Sequence, residues 1–302
     1  MMDFEKVKSV RIAACDLNGQ MRGKRLPGFD KKKFKDGSVR MPLSALNVDI
    51  FGADIENSPL VFETGDQDGL LKITSRGVIP VPWLKKPTAL VPMSMFTEDK
   101  EPFEGDPRYA LERVLKSYEA KGLKAIAATE MEFYLVDERK TSLLPPINPI
   151  SRKRLSTSDV LGISELDYFD DFFNDLQHGC EQTGISIQSI TSESGCGQFE
   201  VTLKHCDALT ASDDAWLFKL LTKGLARKHN IAATFMAKPY LKDVGNGMHI
   251  HFSIIDRNGK NIFNNDKNEG SKLLKSAVAG CLQCLQGSTL IFAPFANSYK
   301  RF

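Results

Sequence analysis

A stretch near the middle of the chain, residues 126–135, constrains the fold more than any other. Polar and apolar side chains alternate along it, which predicts a β-strand, because successive side chains of a strand point to opposite faces. The face expected to meet the core carries Ala127, Thr129, Met131, Phe133 and Leu135. The other face carries Ile126, Ala128, Glu130, Glu132 and Tyr134.

This arrangement puts two carboxylates on one surface. Glu130 and Glu132 lie two residues apart, which is roughly 7 Å along a strand. Their charges repel each other at neutral pH, so we expect a positive group between or above them. A divalent cation is the simplest candidate.

Composition sets the broad class of the protein. The chain has 302 residues, of which 42% are hydrophobic and 26% charged, which is typical of a globular protein of about two domains. Its net charge of +2 gives no reason to expect nucleic acid or an anionic membrane as a partner. No apolar run approaches the ~18 residues that span a bilayer, and the N-terminus lacks a signal-peptide pattern.

Six cysteines are scattered without a disulfide framework, which favours a reducing cytoplasm. Cys281 and Cys284 have C-x-x-C spacing inside a predicted helix. Because no second ligand pair accompanies them, we interpret them as buried helical thiols rather than metal ligands.

Turn signals indicate a boundary near Gly105. Residues 30–105 alternate short apolar runs with prolines and Asp-Gly turns, a pattern typical of a small sheet-rich domain. Asp106 is then a good N-cap and Pro107 a good first helical residue. We therefore predict an α+β protein with domains at 1–105 and 106–302.

The second domain alternates predicted helices, strands and one long loop at 138–163. The predicted strands lie at 126–135, 185–190, 198–203, 233–239 and 248–254. The predicted helices lie at 107–121, 164–184, 208–229 and 271–286.

Three of these strands carry ionisable groups on one face only. They contribute Glu130 and Glu132, then Glu200 with Glu193 just before it, then His249 and His251. If the strands are neighbours in one sheet, the polar faces converge into an oxygen-rich site that suits Mg²⁺ or Mn²⁺ better than zinc. Such sites usually serve phosphoryl chemistry. The alternative is a non-catalytic sheet protein, because a single Glu on a strand usually just faces solvent.

Five ordered motifs make the chain recognisable. The chain resembles the glutamine synthetase family, bacterial type, and more finely its γ-glutamylpolyamine synthetase branch. The family motifs are at 129–133, 193–200, 235–239, 245–251 and 297–301, and the branch motifs are at 15–19, 22–25, 106–108 and 232–240.

The resemblance implies a fold and a reaction. The implied fold is an N-terminal β-grasp domain followed by a catalytic domain with a curved antiparallel sheet and flanking helices, assembled into a ring-shaped homo-oligomer with active sites between subunits. In the family, ATP phosphorylates the γ-carboxylate of glutamate, and an amine then displaces phosphate. Glutamate, ATP and an amine would be the small-molecule partners, with Mg²⁺ or Mn²⁺ as the cofactor.

The resemblance also implies a role for each matching residue. By this likeness Glu132, Glu193 and Glu200 bind one metal ion, and Glu130 and His249 bind a second. His251 and Ser253 contact ATP, while Gly245, Asn246, Gly247 and Arg301 bind glutamate. Arg301 is also the residue that the resemblance identifies as catalytic.

The chain departs from the family in two places. Ammonia-using members carry an Asp-Gly-Ser-Ser loop, whereas here Met41-Pro42-Leu43-Ser44 aligns better than Asp36-Gly37-Ser38, so that Pro42 replaces the Asp. A larger amine than ammonia is therefore expected. Family members also continue well beyond Arg301, so we expect a C-terminally incomplete catalytic domain with uncovered apolar surface. A catalytically impaired paralogue that binds nucleotide and regulates or scaffolds an assembly is the alternative.

Overall fold

The computed structural model describes residues 6–28, 38–139, 142–267 and 269–301. The chain divides into two compact units, Met1–Ser117 and Tyr118–Phe302. Each unit contains its own β-sheet.

The first unit is built on a mixed sheet. Its strands run in the order β2-β1-β6-β4-β3, with β5 pairing β6; β1 and β6 are parallel, and the other pairs are antiparallel. The strands are β1 (Ser9–Cys15), β2 (Met21–Pro27), β3 (Arg40–Pro42), β4 (Asp68–Ile73), β5 (Ile79–Pro80) and β6 (Thr88–Phe96). The helices are a 3₁₀ turn at Leu43–Leu46, α1 (Pro59–Phe62) and α2 (Pro107–Glu119), which runs across the boundary between the units.

The core of this unit lies against β1 and β6, most of whose residues are buried. Val10, Ile12, Leu71 and Val91 are among its members. The β-grasp assignment of residues 1–105 stays a prediction. Pro42 ends strand β3, and residues 36 and 37 of the alternative Asp-Gly-Ser match lie outside the described residues.

Asp106 caps the helix that follows it, as its position before Pro107 predicts. Its Oδ1 accepts a hydrogen bond from the Arg108 amide at 2.9 Å, and its Oδ2 accepts one from the Met95 amide at 2.9 Å. The carboxylate therefore fixes the start of α2 against strand β6.

The second unit is a mixed helix and sheet structure. Its strands are β7 (Lys124–Val136), β8 (Ile187–Ser192), β9 (Gln198–Leu203), β10 (Cys206–Asp207), β11 (Ala232–Thr234) and β12 (Met248–Ile255). Its helices are α3 (Ile163–Tyr168), α4 (Asp170–Thr183), α5 (Ala208–Lys228), α6 (Lys272–Phe292) and a 3₁₀ turn at Ser298–Arg301. No helix within the described ranges is both long and apolar enough to cross a bilayer.

Strand β7 is the spine of this sheet. Strands β9 and β10 pair with it along one side, and β12 and β11 pair with it along the other, all antiparallel. The predicted convergence of three polar-faced strands in one sheet is thereby confirmed. On the second side, β12 pairing reaches Met131 and β11 pairing starts at Tyr134. The connecting residues 235–247 leave the sheet beside Glu132.

The apolar face of β7 forms the core, as its alternation predicts. Met131, Phe133 and Leu135 are buried, and the Phe133 ring contacts the rings of Phe199, Phe218 and Phe235. Tyr134 is an exception, because it lies on the polar face and is nonetheless fully buried. Its hydroxyl donates to the Val244 carbonyl at 2.8 Å.

Several predicted elements differ from the structure. The strand predicted at 233–239 ends at Thr234, because the chain turns out of the sheet there. The helix predicted at 164–184 is broken at Phe169, where the backbone leaves helical geometry.

The last long helix also differs from its prediction. It runs on to Phe292 rather than ending at 286. Cys281 and Cys284 are exposed, so their interpretation as buried thiols is wrong. The physical reason is that none of the residues of α6 is buried, so its apolar side has no cover within the described part of the chain.

Candidate functional site

The site begins with the register of three strands. His249 on β12 lies directly opposite Glu130 on β7. Glu200 on β9 lies directly opposite Glu132 from the other side. Directly opposite residues in an antiparallel pair have Cβ atoms about 4.5–5.5 Å apart. The register alone therefore draws these four ionisable side chains into one patch.

Glu130 is held between two imidazoles. Its Oε2 lies 2.8 Å from His249 Nδ1, and its Oε1 lies 2.8 Å from His251 Nε2. Burial acts to raise the pKa of Glu130, but hydrogen bonds from His251 and His249 outweigh it, and the net effect lowers the pKa. Glu130 is thus kept as a carboxylate.

Glu193 and Glu200 experience the opposite effect. Glu193 follows directly after β8. Burial raises the pKa of Glu193, and the negative charges of Glu132 and Glu130 raise it further. Burial also raises the pKa of Glu200, and the neighbouring carboxylates add to the effect. The cluster therefore carries more negative charge than its protein surroundings neutralise.

A metal ion fits this donor set. Ligand atoms from Glu130, Glu200 and His249 all lie within 4.8 Å of one another. Carboxylate oxygens with one imidazole are the donors that Mg²⁺ or Mn²⁺ accepts. A cation would also relieve the charge repulsion that adds to burial in raising the pKa values of Glu193 and Glu200. The donor chemistry and the electrostatics thus both fit a divalent cation.

Glu132 contacts the segment that leaves the sheet beside it. Its Oε2 accepts a hydrogen bond from the Gly247 amide at 2.8 Å and another from Gln198 Nε2 at 3.1 Å. This carboxylate therefore joins the patch of acidic side chains to the 245–247 segment.

Two glycines allow that close approach. A Cβ atom on Gly247 would lie 2.9 Å from Glu132 Oε1. One on Gly245 would lie 2.5 Å from the Ala237 carbonyl oxygen and 3.0 Å from Arg301 Cγ. The segment fits between its neighbours only because both positions lack a side chain.

Asn246, between the two glycines, is buried and turned inward. Its Nδ2 donates to the Met236 carbonyl at 2.8 Å, and its amide donates to the Ala237 carbonyl at 2.8 Å. Its side chain therefore ties residues 245–247 to the 235–237 stretch and is engaged inside the protein.

Arg301 reaches the same segment from the end of the chain. It closes the 3₁₀ turn at Ser298–Arg301 and is exposed. Its Nη2 would lie 3.8 Å from a Cβ atom on Gly247. Asn297 anchors the turn, because its Oδ1 accepts from the Lys238 amide at 2.8 Å and its Nδ2 donates to the Lys238 carbonyl at 3.0 Å.

The remaining predicted site residues lie along β12. His251 is opposite Ala128, and Ser253 is opposite Ile126. By the alternation of a strand they share a face with His249. Ser253 lies four residues beyond His249, which is about 13 Å along a strand. It is therefore well separated from the carboxylate cluster.

Two residues of the site have no predicted role from the sequence. Gln198 shares the polar face of β9 with Glu200, so the same alternation that identified Glu200 also marks Gln198. Asn297 belongs to the motif at 297–301, in which the resemblance implies a role for Arg301 alone. Its two bonds to Lys238 join residues far apart in the sequence, and no local pattern indicates them.

Comparison with known proteins gives the family of this architecture. The sequence-family model described as glutamine synthetase, catalytic domain, matches residues 104–302 of this chain. A gamma-glutamylputrescine synthetase, PuuA, of Escherichia coli is 36% identical over 99% of this chain and 64% of its own length. A glutamate–isopropylamine ligase of a Pseudomonas species is 31% identical over 99% of this chain and 66% of its own length. The chain thus spans slightly less than two thirds of these relatives.

Solved structures share the fold. The structure described as apo GmaS without ligand matches all of this chain and 68% of its own, with a TM-score of 0.81 and 27% identity. A structure described as a novel glutamine synthase homolog has a TM-score of 0.85 at 23% identity, covering 100% of this chain and 68% of its own, and so shows the fold alone. Since the catalytic-domain model spans more than half of the sequence, residues 104–302, the chain belongs to the glutamine synthetase family.

Proposed function

We propose that this chain carries out the ATP-dependent joining of the γ-carboxylate of glutamate to an amine. The observation that carries the proposal is the cluster of Glu130, Glu200 and His249, which Glu132 joins to the 245–247 segment. Phosphoryl transfer needs a concentrated cation site beside a substrate-binding surface, and the position of the acidic cluster next to the 245–247 segment supports the proposal.

The reaction has two balanced steps. The γ-carboxylate oxygen of glutamate attacks the terminal phosphorus of ATP, which gives γ-glutamyl phosphate and ADP. The amine nitrogen then attacks the γ-carbonyl carbon, phosphate leaves with the bonding electrons, and the nitrogen loses a proton. The product is a γ-glutamyl amide.

The residues divide the work by their chemistry. Glu132, Glu193 and Glu200 would hold one Mg²⁺ or Mn²⁺ ion, and Glu130 and His249 a second. Because ligand atoms of Glu200 lie within 4.8 Å of those of Glu130 and His249, Glu200 would lie between the two ions and could contact both. When bound, these cations neutralise the charge that develops on the phosphate oxygens.

The substrates would be held by the rest of the site. Arg301 would bind a glutamate carboxylate through charge-assisted hydrogen bonds, and the backbone of Gly245, Asn246 and Gly247 would line the glutamate site. His251 and Ser253 would contact ATP.

The amine is proposed to be larger than ammonia. Two relatives carry names that specify putrescine and isopropylamine as the amine. In this chain, Pro42 stands where ammonia-using members of the family are expected to have an aspartate. A proline offers neither the negative charge nor the hydrogen-bond acceptor that an ammonium ion requires.

Phosphate release tests the function directly. The chain is incubated with ATP, Mg²⁺ or Mn²⁺, glutamate and one amine from a panel of putrescine, isopropylamine and ammonia. We expect phosphate only when glutamate and an alkylamine are both present, and a Glu200→Gln variant should lose it. Phosphate release with ammonia as the amine, and with neither alkylamine, would overturn the amine assignment. Calorimetric binding of ATP and Mn²⁺ without any turnover would favour the regulatory or scaffolding alternative.

The assembly and location are part of the same proposal. We propose a ring-shaped homo-oligomer in the cytoplasm, with a β-grasp domain at residues 1–105 and the catalytic domain at 106–302. Sedimentation velocity of the purified protein tests the assembly, and a single species of monomer mass would overturn it.

A further inference from the structure

We propose that Gln198 is a positioning residue that holds Glu132 and the 245–247 segment in one fixed arrangement. The geometry stands on its own, whereas its consequence for metal affinity rests on the function proposed above. Gln198 lies on β9 beside Glu200, the residue that pairs directly with Glu132.

The amide of Gln198 is completely engaged. The side chain is buried, with 1% of its surface exposed. Its Nε2 lies 3.1 Å from Glu132 Oε2, 3.2 Å from the Gly245 carbonyl oxygen and 3.0 Å from Asn246 Oδ1. One NH₂ group thus contacts a carboxylate of β7 and two residues of the segment outside the sheet.

The orientation of this amide is fixed by its surroundings. Gln198 Oε1 accepts a hydrogen bond from the Gly195 amide at 3.0 Å, whereas all three partners of Nε2 are oxygen acceptors. A flipped amide would place its oxygen against three acceptors and its NH₂ group against a donor. Only one orientation therefore satisfies the site.

This arrangement has a consequence for Glu132. Its Oε2 accepts both the Gln198 bond and the Gly247 amide. An oxygen that already accepts two N–H donors is a poor metal ligand, so Oε1 is the oxygen that Glu132 offers to a cation. Gln198 thereby selects which oxygen faces the metal and couples it to the segment proposed to bind glutamate.

Two variants test the role of Gln198. In Gln198→Met the side chain has similar length and volume but no hydrogen-bonding amide. In Gln198→Glu the shape is kept, but a second carboxylate lies beside Glu132. The matched control is Thr183→Ala, which removes a buried hydroxyl that bonds the Gly179 carbonyl at 2.9 Å within α4, far along the chain from residues 245–247.

Hydrogen exchange of the metal-free protein is the first measurement. We expect the Gly247 and Asn246 amides to exchange at least tenfold faster in both Gln198 variants, while the amides of α4 keep their wild-type rates. In Thr183→Ala, by contrast, amides of α4 should exchange faster, while the Gly247 and Asn246 amides keep their wild-type rates. Wild-type exchange at Gly247 in a folded Gln198 variant would overturn the proposal. If Gln198→Met fails to fold, Gln198→Glu decides by the same criterion.

Calorimetric titration with Mn²⁺ alone is the second measurement. Loss of a group that orients a metal ligand typically weakens metal binding about 10–100-fold, and we expect this range for Gln198→Met, which removes the amide without adding a charge. Thr183→Ala should keep the wild-type affinity for Mn²⁺, even if its melting temperature falls as much as that of the Gln198 variants. Unchanged Mn²⁺ affinity in a folded Gln198→Met variant would overturn the coupling to Glu132. Absence of Mn²⁺ binding in the wild type would overturn the proposed metal site, and the exchange result would then decide the role of Gln198 separately.

Discussion

Glu130 and Glu132 are two residues apart on one face of one strand, yet their surroundings differ. Glu130 accepts hydrogen bonds from the side chains of His249 and His251. Glu132 accepts hydrogen bonds from the Gly247 amide and from the side chain of Gln198. Glu130 is therefore tied to strand β12, whereas Glu132 is tied to the 245–247 segment and to strand β9.

The Gly247→Ala substitution tests the close approach to Glu132. The added Cβ atom would lie 2.9 Å from Glu132 Oε1, which is closer than an ordinary contact, so the carboxylate or the segment must move. We expect Mn²⁺ binding to weaken at least tenfold, as measured by calorimetry, because the displaced group is the oxygen offered to the metal.

The control for this variant is Gly280→Ala, on the exposed surface of α6. A Cβ atom there meets no atom within 4 Å. We expect wild-type Mn²⁺ affinity and, in urea unfolding, a gain of about 0.5–1 kcal/mol, because alanine is the better residue inside a helix. Equal Mn²⁺ affinity in the two glycine variants would contradict the assignment of Glu132.

Asn297→Ala tests how Arg301 is positioned. The variant loses both hydrogen bonds to the Lys238 backbone, each worth about 0.5–1.5 kcal/mol. The 3₁₀ turn that carries Arg301 is then no longer anchored. We expect the KM for glutamate to rise severalfold in the phosphate-release assay while Mn²⁺ affinity stays unchanged. Asn264→Ala, on an exposed turn, is the control, and an equal rise in both variants would rule out the anchoring role.

At the scale of elements, β7 contributes one face to the hydrophobic core and the other face to the candidate site. Its apolar face supplies Phe133, which is fully buried against three aromatic rings. We expect Phe133→Ala to cost about 3–5 kcal/mol in denaturant unfolding, because it leaves a cavity under the site. Phe292→Ala on α6, where 67% of the side chain is exposed, should stay within about 0.5 kcal/mol of wild type.

The carboxylate of Asp137, directly after β7, holds the end of this strand through ion pairs that weaken at low pH. Asp137, whose side chain is 2% exposed, accepts hydrogen bonds from Arg139 Nε at 2.8 Å and from Arg154 Nη2 at 2.8 Å. These arginine bonds, that of Arg139 first, hold the pKa of Asp137 far below its ordinary value. The carboxylate thereby ties the long 138–163 loop to the sheet.

The sign of the pH effect follows from the lowered pKa. The folded state binds the Asp137 proton more weakly than the unfolded state, so its contribution to stability is present above the unfolded pKa of about 3.9. It is lost as the pH falls toward the folded pKa. We expect Asp137→Asn to lower the melting temperature at pH 7 and to match wild type progressively more closely as the pH falls below 4. Asp54→Asn, on an exposed loop, should show no such convergence.

The sequence predicts the strands of the site better than the contacts between them. The alternation of 126–135 and of 248–254 identifies the acidic face and its histidines, because a strand repeats every two residues. The same rule could not show that 235–247 leaves the sheet, since Phe235 and Met236 look like continued strand. Nor could it show that Phe169 interrupts a helix, because packing against Phe199 rather than local propensity fixes that residue.

At the scale of the whole molecule, the described residues expose much apolar surface on α6 and β12. Leu282 is 66% exposed and Ile291 76%, and Met248, Ile250 and Phe252 on β12 are also exposed. Exposed patches of this kind usually bind other protein surfaces. We expect the 302-residue chain to bind a hydrophobic dye and to self-associate in sedimentation velocity. Leu282→Lys combined with Ile291→Lys should reduce both, and dye binding equal to wild type would count against this surface.

The pairing of four strands with β7 also determines the order in which the site can form during folding. Glu130 and its partner His249 are 119 residues apart in the chain, so their meeting requires closure of a long loop, which is slow relative to local pairing. Strands β8 and β9 can form a hairpin from nearby residues, whereas β12 must find β7 across all of the intervening chain. The cation-binding patch is therefore complete only after β12 has paired with β7. During synthesis, a metal ion can bind the finished patch only after residue 255, the last residue of β12, has emerged from the ribosome.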